Sequence, residues 1–154
     1  MRPIGVFGGT FDPIHGNGLG SFGAVTFALD PSASNVLIAG SGGPGSPDYE
    51  FNVYRTTNGG RTWQRVLYKS ERACAVDLSM DPTSPDVLFA SLNQFQRFPW
   101  DESSGGPDSG LHKSTDGGDT WTEITRNPGL PTGVVGKIGV AISPARPSRV
   151  YAII

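Results

Sequence analysis

Short apolar runs alternate with glycine and proline along the chain, and no segment holds its apolar residues at helical spacing. Three stretches repeat one pattern. Val25 to Leu29 leads through Asp30-Pro31 to Asn35–Gly40. Val76 to Met80 leads through Asp81-Pro82 to Asp86–Ser91. Ile138 to Ile142 leads through Ser143-Pro144 to Arg149–Ile154. Each reads as a strand, a proline turn and a second strand. The prolines Pro31, Pro82 and Pro144 lie 51 and 62 residues apart. A third strand is predicted before each of two glycine turns, at Val53–Arg55 and Leu111–Lys113, and a fourth after them. Four antiparallel strands in a unit of roughly 50 residues describe a propeller blade. The predicted fold class is all-β: a partial β-propeller of four-stranded antiparallel blades, about 2.5 of them. The expected blades are residues 22–68, 73–125 and 134–154, within a propeller segment 21–154 that follows a distinct segment 1–20.

The glycine turns, TTNGGRTW at 56–63 and STDGGDTW at 114–121, have the same order of residue types 58 positions apart. Asp116 can accept hydrogen bonds from the backbone just ahead of it and close an Asx-type turn, and Ser114 can bond within the same turn. Gly117 and Gly118 supply positive φ where a side chain would clash. Thr56, Asn58, Gly60 and Trp63 are therefore expected to be structural, as are Ser114, Asp116, Gly118 and Trp121. Both tryptophans are expected to be buried at equivalent places in successive blades.

The two turns resemble the Asp-box of bacterial neuraminidase repeats, S/T-x-D-x-G-x-T-W, which joins the third and fourth strands of a blade. Asn58 departs from the usual aspartate but still closes an Asx turn. The ordered run of VYRTTNGGRTW, VDLSMDPTSPDVLFAS, SGGPDSGLHKSTDGGDTW and NPGLPTGVVGKIGVAISP resembles the bacterial sortilin-like and "glycosyl hydrolase" repeat proteins over residues 22–154. The resemblance implies structural box residues at the outer rim of each blade, and an extracellular or periplasmic home, although residues 1–20 hold no long apolar signal region.

Charge narrows the function classes. The net charge is −2 with dispersed basic residues, which leaves no footprint for nucleic acid. No apolar run approaches the ~18 residues of a membrane-spanning helix. A single cysteine, Cys74, excludes an internal disulfide, and its small apolar neighbours place it in the core.

Residues 1–20 carry a separate motif. Ile4 to Phe7 reads as a strand entering Gly8-Gly9-Thr10-Phe11-Asp12-Pro13-Ile14-His15. This resembles the opening GGTFDPxHxGH of the nicotinate mononucleotide adenylyltransferases, which implies nucleotide binding by Gly8, Gly9, Thr10, Phe11 and His15. The second histidine and the helix that should follow are absent, so adenylyl transfer is not expected.

The remaining candidate is the long connection Asn93–Gly110, NQFQRFPWDESSGGPDSG, expected as a loop between the second and third strands of the middle blade. Loops of this length are often functional. Gln94, Arg97, Trp100 and Asp101 are its candidate ligand residues, since aromatic faces beside hydrogen-bonding groups suit sugars or peptides. The alternative is that Phe95, Phe98 and Trp100 anchor the loop on neighbouring blades. Asp101 and Glu102 are adjacent and so poorly arranged as a glycosidase pair, whose carboxylates face one bond from two sides. His112, where the first repeat has Tyr54, reads as packing. Asp77 and Asp108 have no partner visible in sequence. No metal or cofactor pattern and no nucleophile–base pair stands out. The expected role is a non-catalytic recognition scaffold for a protein or glycan ligand, one that needs further blades or self-association to cover the apolar edge at Arg149–Ile154. The alternative is part of a sialidase- or xyloglucanase-like propeller glycoside hydrolase. A third is a nucleotidyl transferase remnant resting on residues 1–20.

Overall fold

The computed structural model describes residues 24–33, 37–41 and 53–154. The motif at residues 8–15 lies outside them. The described residues form strands and turns with no helix. Strands β1 (Ala24–Leu29), β2 (Leu37–Ser41), β3 (Val53–Thr56) and β4 (Gln64–Leu67) pair antiparallel in chain order as the first blade. The second blade orders β5 (Ala73–Met80), β6 (Leu88–Phe98), β8 (Gly110–Ser114) and β9 (Thr122–Glu123), with β7 (Asp101–Ser104) paired onto the far end of β6. Strands β10 (Gly139–Ile142) and β11 (Val150–Ile153) pair as the first half of a third blade.

The repeat extends to irregularities. The β1–β2 ladder slips between Ala24 and Thr26, and the β5–β6 ladder slips between Ala75 and Asp77, so Val25 and Val76 are equivalent bulges. The proline turns repeat as well. Asp30 Oδ1 accepts the Ser32 amide (2.7 Å), the Ser32 hydroxyl (2.7 Å) and the Ala33 amide (3.2 Å). Asp81 Oδ1 accepts the Thr83 amide (2.8 Å), the Thr83 hydroxyl (2.8 Å) and the Ser84 amide (3.2 Å). Both carboxyls are held below their ordinary range, Asp30 chiefly by the Ser32 hydroxyl and Asp81 chiefly by the Thr83 amide.

Core packing follows the two-residue alternation of a strand. Leu88, Ala90 and Leu92 face the first blade and pack with Val53, Ala73, Ala75 and Leu78. Phe89 and Leu111 face the other way, onto Val135, Ile138, Val140 and Ile142. The middle blade is covered on both faces, which is why β6 reads as a continuous apolar run rather than an alternating one. Cys74 is half-buried instead of lying in the core: its thiol donates to the Asn93 carbonyl (3.3 Å), and burial raises its pKa. The second blade is tied to the residues at and before β10 by side chains. Asp77 Oδ2 accepts the Val140 amide (2.8 Å) and Ser79 Oγ accepts the Ile142 amide (3.0 Å), while Ser91 Oγ donates to the Ile138 carbonyl (2.7 Å).

Candidate functional site

The two glycine turns share one geometry. Gly59 and Gly60 take φ of +71° and +87°; Gly117 and Gly118 take +70° and +91°. Thr56 Oγ1 accepts the amides of Asn58 (3.3 Å) and Gly60 (3.0 Å) and donates to Asn58 Oδ1 (2.9 Å). Ser114 Oγ does the same with Asp116 (3.3 Å), Gly118 (2.9 Å) and Asp116 Oδ1 (2.8 Å). The amides of Thr62 and Thr120 close the turns onto Asn58 Oδ1 (3.0 Å) and Asp116 Oδ1 (2.9 Å). The departure at Asn58 is absorbed by reversing one bond. Asn58 Nδ2 donates to the Thr62 hydroxyl (2.8 Å), whereas the Thr120 hydroxyl donates to Asp116 Oδ2 (2.5 Å). That bond, then the Thr120 amide and the Ser114 hydroxyl, lowers the Asp116 carboxyl to about 2. The opening hydroxyls of Thr56 and Ser114 and the side-chain oxygens of Asn58 and Asp116 are spent on the turns themselves.

The tryptophans occupy equivalent positions with unequal cover. Trp63 is 8 % exposed, and its indole nitrogen has no partner among the described residues. Trp121 is half-buried against the cluster shared by the first two blades, and its Nε1 donates to the Gly118 carbonyl (3.0 Å).

Register decides which end of the blade each feature occupies. Leu88 lies opposite both Met80 and Ser114, so the proline turn and the glycine turn of the second blade share one end. The Gly117 amide bonds the Asp86 carbonyl there (3.0 Å). At the other end β6 does not stop. The expected loop 93–110 is instead a two-stranded arm. Phe95 pairs with Ser104, Gln96 with Ser103, Arg97 with Glu102 and Phe98 with Asp101. Pro99 and Trp100 form its two-residue tip, with proline presetting the first turn dihedral. A readable signal existed: QFQRF and DESS flank a Pro-Trp pair, the spacing of a short hairpin.

The root of the arm is fastened to the connections on either side of the second blade. Phe95 N bonds the Arg72 carbonyl (3.2 Å), and the Ser70 hydroxyl donates to Asp108 Oδ2 (2.8 Å). On the opposite side the Gly106 amide bonds the Val135 carbonyl (3.2 Å). Gly105, with φ +96°, sits so that a Cβ would lie 3.0 Å from that carbonyl. The buried Asn93 and Ser109 fasten the root: the Gln94 amide donates to Ser109 Oγ (2.8 Å) and Asn93 Nδ2 to Ser104 Oγ (3.2 Å). The Gln94 side chain stays at the root, where Oε1 accepts the Asp108 amide (3.3 Å) and would lie 2.2 Å from a Cβ at Gly106. Arg97 is described by its backbone register alone.

The tip carries the exposed chemistry. Trp100 is 82 % exposed, and Asp101, Glu102, Ser103 and Ser104 are all exposed. Asp101 Oδ1 accepts the Glu102 amide (2.9 Å). The tip exposes an aromatic plane next in sequence to two exposed carboxylates, and such groups stack on a sugar ring and accept hydrogen bonds from its hydroxyls.

His112 lies on the third strand of the second blade, buried on its first-blade side. Its Nδ1 has no partner among the described residues, and its Nε2 is 4.0 Å from the Glu123 carboxylate, which Lys69 engages at 2.6 Å. Burial holds the imidazole below its ordinary pKa, with Glu123 pulling the other way. Among the described residues no group of three His, Cys, Asp or Glu side chains could hold a metal ion.

No family model matches the sequence, and no curated protein matches it. Solved structures do match the fold. An ancestral GH74 enzyme is similar at a TM-score of 0.54 and 17 % identity, over 79 % of this chain and 14 % of that one. The GH74 xyloglucanase from Xanthomonas campestris is similar at a TM-score of 0.54 and 19 % identity, over 82 % of this chain and 17 % of that one. This chain therefore has the blade architecture of GH74 β-propellers and spans under a fifth of the length of either structure.

Proposed function

We propose that this chain is a glycan-binding portion of a propeller glycoside hydrolase of the xyloglucanase kind. The observation that carries the reading is the rooted arm: an exposed Trp100 beside Asp101 and Glu102, held at the end of the blade away from the glycine turns. The fold likeness to GH74 structures supports it. Within this portion the work is binding rather than bond cleavage. Asp77, Asp108, Asp116 and Glu123 are engaged by backbone or side-chain donors. Asp101 and Glu102 are neighbours in sequence on one exposed strand, so they cannot flank a glycosidic bond. In the same reading the glycine turns are Asp-boxes that brace the blade ends, as in neuraminidase-repeat and sortilin-like proteins. Residues 22–68, 73–125 and 134–154 are successive blades, and the protein acts outside the cytoplasm.

The test is calorimetric titration of the full chain with xyloglucan oligosaccharides, with a sialylated glycan as contrast, beside an assay for reducing-sugar release. Saturable binding to the xyloglucan oligosaccharide, weakened at least tenfold by Trp100→Ala and without sugar release, is expected. The scaffold alternative, recognition of a protein, rests on the same arm. It takes over if the glycans fail to bind and Trp100→Ala instead abolishes binding to a polypeptide.

A further inference from the structure

At the foot of the arm stands a second exposed aromatic. Val53 lies opposite Leu67, so Tyr68 leaves β4 at the end of the first blade away from its glycine turn. The chain from Tyr68 to Arg72 then runs to the arm root, where Ser70 donates to Asp108 and the Arg72 carbonyl accepts the Phe95 amide. Tyr68 is 49 % exposed, and the Arg65 guanidinium lies 4.8 Å from the centroid of its ring. A cation over one face fixes the ring and leaves the other face open. The blade repeat does not require this arrangement. Five residues after the turn tryptophan the first blade has Tyr68 and the second has Arg126, whose guanidinium is spent on the Pro131 (3.2 Å) and Gly133 (2.5 Å) carbonyls.

The arm has a side that faces the same way. Leu88, Ala90 and Leu92 are turned to the first blade, and strand alternation carries Gln96 to that side. Ser103 is the register partner of Gln96, and Asp101 lies two residues before Ser103, so both share that side. Asp101 and Ser103 are exposed, as are Glu71 and Arg72 below them. Trp100 stands five residues beyond Phe95, a reach of about 16 Å from the root in an extended strand.

We infer that Tyr68 is a second stacking platform of the glycan site, and that the ligand is an extended oligosaccharide lying from Tyr68 along the first-blade side of the arm to Trp100. The inference rests on the glycan reading and adds a residue and a length requirement to it. One sugar ring stacks on the open face of Tyr68 and another on Trp100, since both rings present an apolar plane to water. Asp101 and Ser103 lie between the two platforms and bond hydroxyls of the rings between. Arg65 is a positioning residue: it holds the tyrosine plane before the ligand arrives, which lowers the ordering cost of binding.

Calorimetric titration of the full chain with xyloglucan oligosaccharides of a single repeat unit and of two joined units tests this. The longer ligand should bind the wild type several-fold more tightly than the shorter. Tyr68→Ala should abolish that gain and leave the affinity for the single unit unchanged, whereas Trp100→Ala should weaken both ligands. Tyr68→Phe keeps the stacking plane and should keep the gain. Arg65→Ala should lose part of it, with a urea midpoint close to the wild type for each variant because both side chains lie at the surface. The inference is overturned, and the glycan reading stands, if the single unit binds through Trp100 but the longer ligand gains nothing, or if the gain survives in Tyr68→Ala. Failure of both oligosaccharides to bind overturns the two together.

Discussion

At the scale of single residues, the glycine turns show how a hydroxyl and a carboxylate replace missing backbone partners. Ser114 is 1 % exposed and satisfies two amides, so Ser114→Ala leaves buried donors unpaired and should cost ~1–3 kcal/mol in denaturant unfolding. Titration acts through the same groups. The Asp116 carboxyl, lowered from 3.8 to about 2, binds protons more weakly in the folded chain. Its stabilisation is present above the unfolded value and is lost as pH falls from about 4 to about 2. His112 is neutral when buried, and the unfolded chain takes up its proton more readily. That contribution is complete above about pH 6.5 and falls away below it, in the same direction. Melting temperature followed from pH 8 to pH 2 should therefore decline in two stages. His112→Tyr, which copies Tyr54 of the first blade, should remove the upper stage. Asp116→Asn, which copies Asn58, should make the lower one shallower, leaving the share of Asp30 and Asp81.

Elements divide the labour between packing and presentation. Strand β6 does both. Leu88, at 0 % exposure between the blades, belongs to the part that packs. Leu88→Ala should cost ~2–5 kcal/mol, read from the shift in urea midpoint at unchanged slope. The outer half of the same strand carries the arm, where cover is slight. Trp100→Ala should leave the midpoint within ~0.5 kcal/mol of the wild type, because an exposed side chain gives up little on truncation. A large loss of stability at Trp100 would show that the tryptophan anchors the arm rather than presenting a surface.

For the whole molecule, the joints between blades are mixed. Apolar faces supply the area, and a few polar side chains set the alignment. Asp77 reaches across to the Val140 amide, a bond between residues 63 positions apart that also holds β10 against β5. Asp77→Ala leaves that amide unpaired and should cost ~1–3 kcal/mol. It should also raise hydrogen exchange at Val140 and along β10 while sparing β1–β4. Uniform loss of protection over all blades would show instead that the chain opens only as one unit.

The amino-acid sequence determined the repeat by itself. Proline turns at Pro31, Pro82 and Pro144 and glycine pairs at 59–60 and 117–118 are local devices, and local chemistry is enough to read strand order and turn conformation from them. It was also enough to see that Asn58 would serve where Asp116 does, since both offer an acceptor oxygen two residues after a hydroxyl. The tertiary structure decided what depends on distant partners. The stretch 93–110 carries enough glycine and proline to pass for a loop. It becomes an arm because carbonyls of Arg72 and Val135, from the connections on either side, fasten its root. Gln94 reads in sequence as a ligand residue, yet its side chain is held at that root by Asp108. Asp77 and Asp108 showed no partner in sequence because their donors, Val140 and Ser70, lie 63 and 38 residues away. Arg55 looks like one more dispersed basic residue until the stacking of blades aims it at a glycine turn. Position along the chain carries the period of such a fold, and only the packing of one blade on the next brings these side chains to their partners.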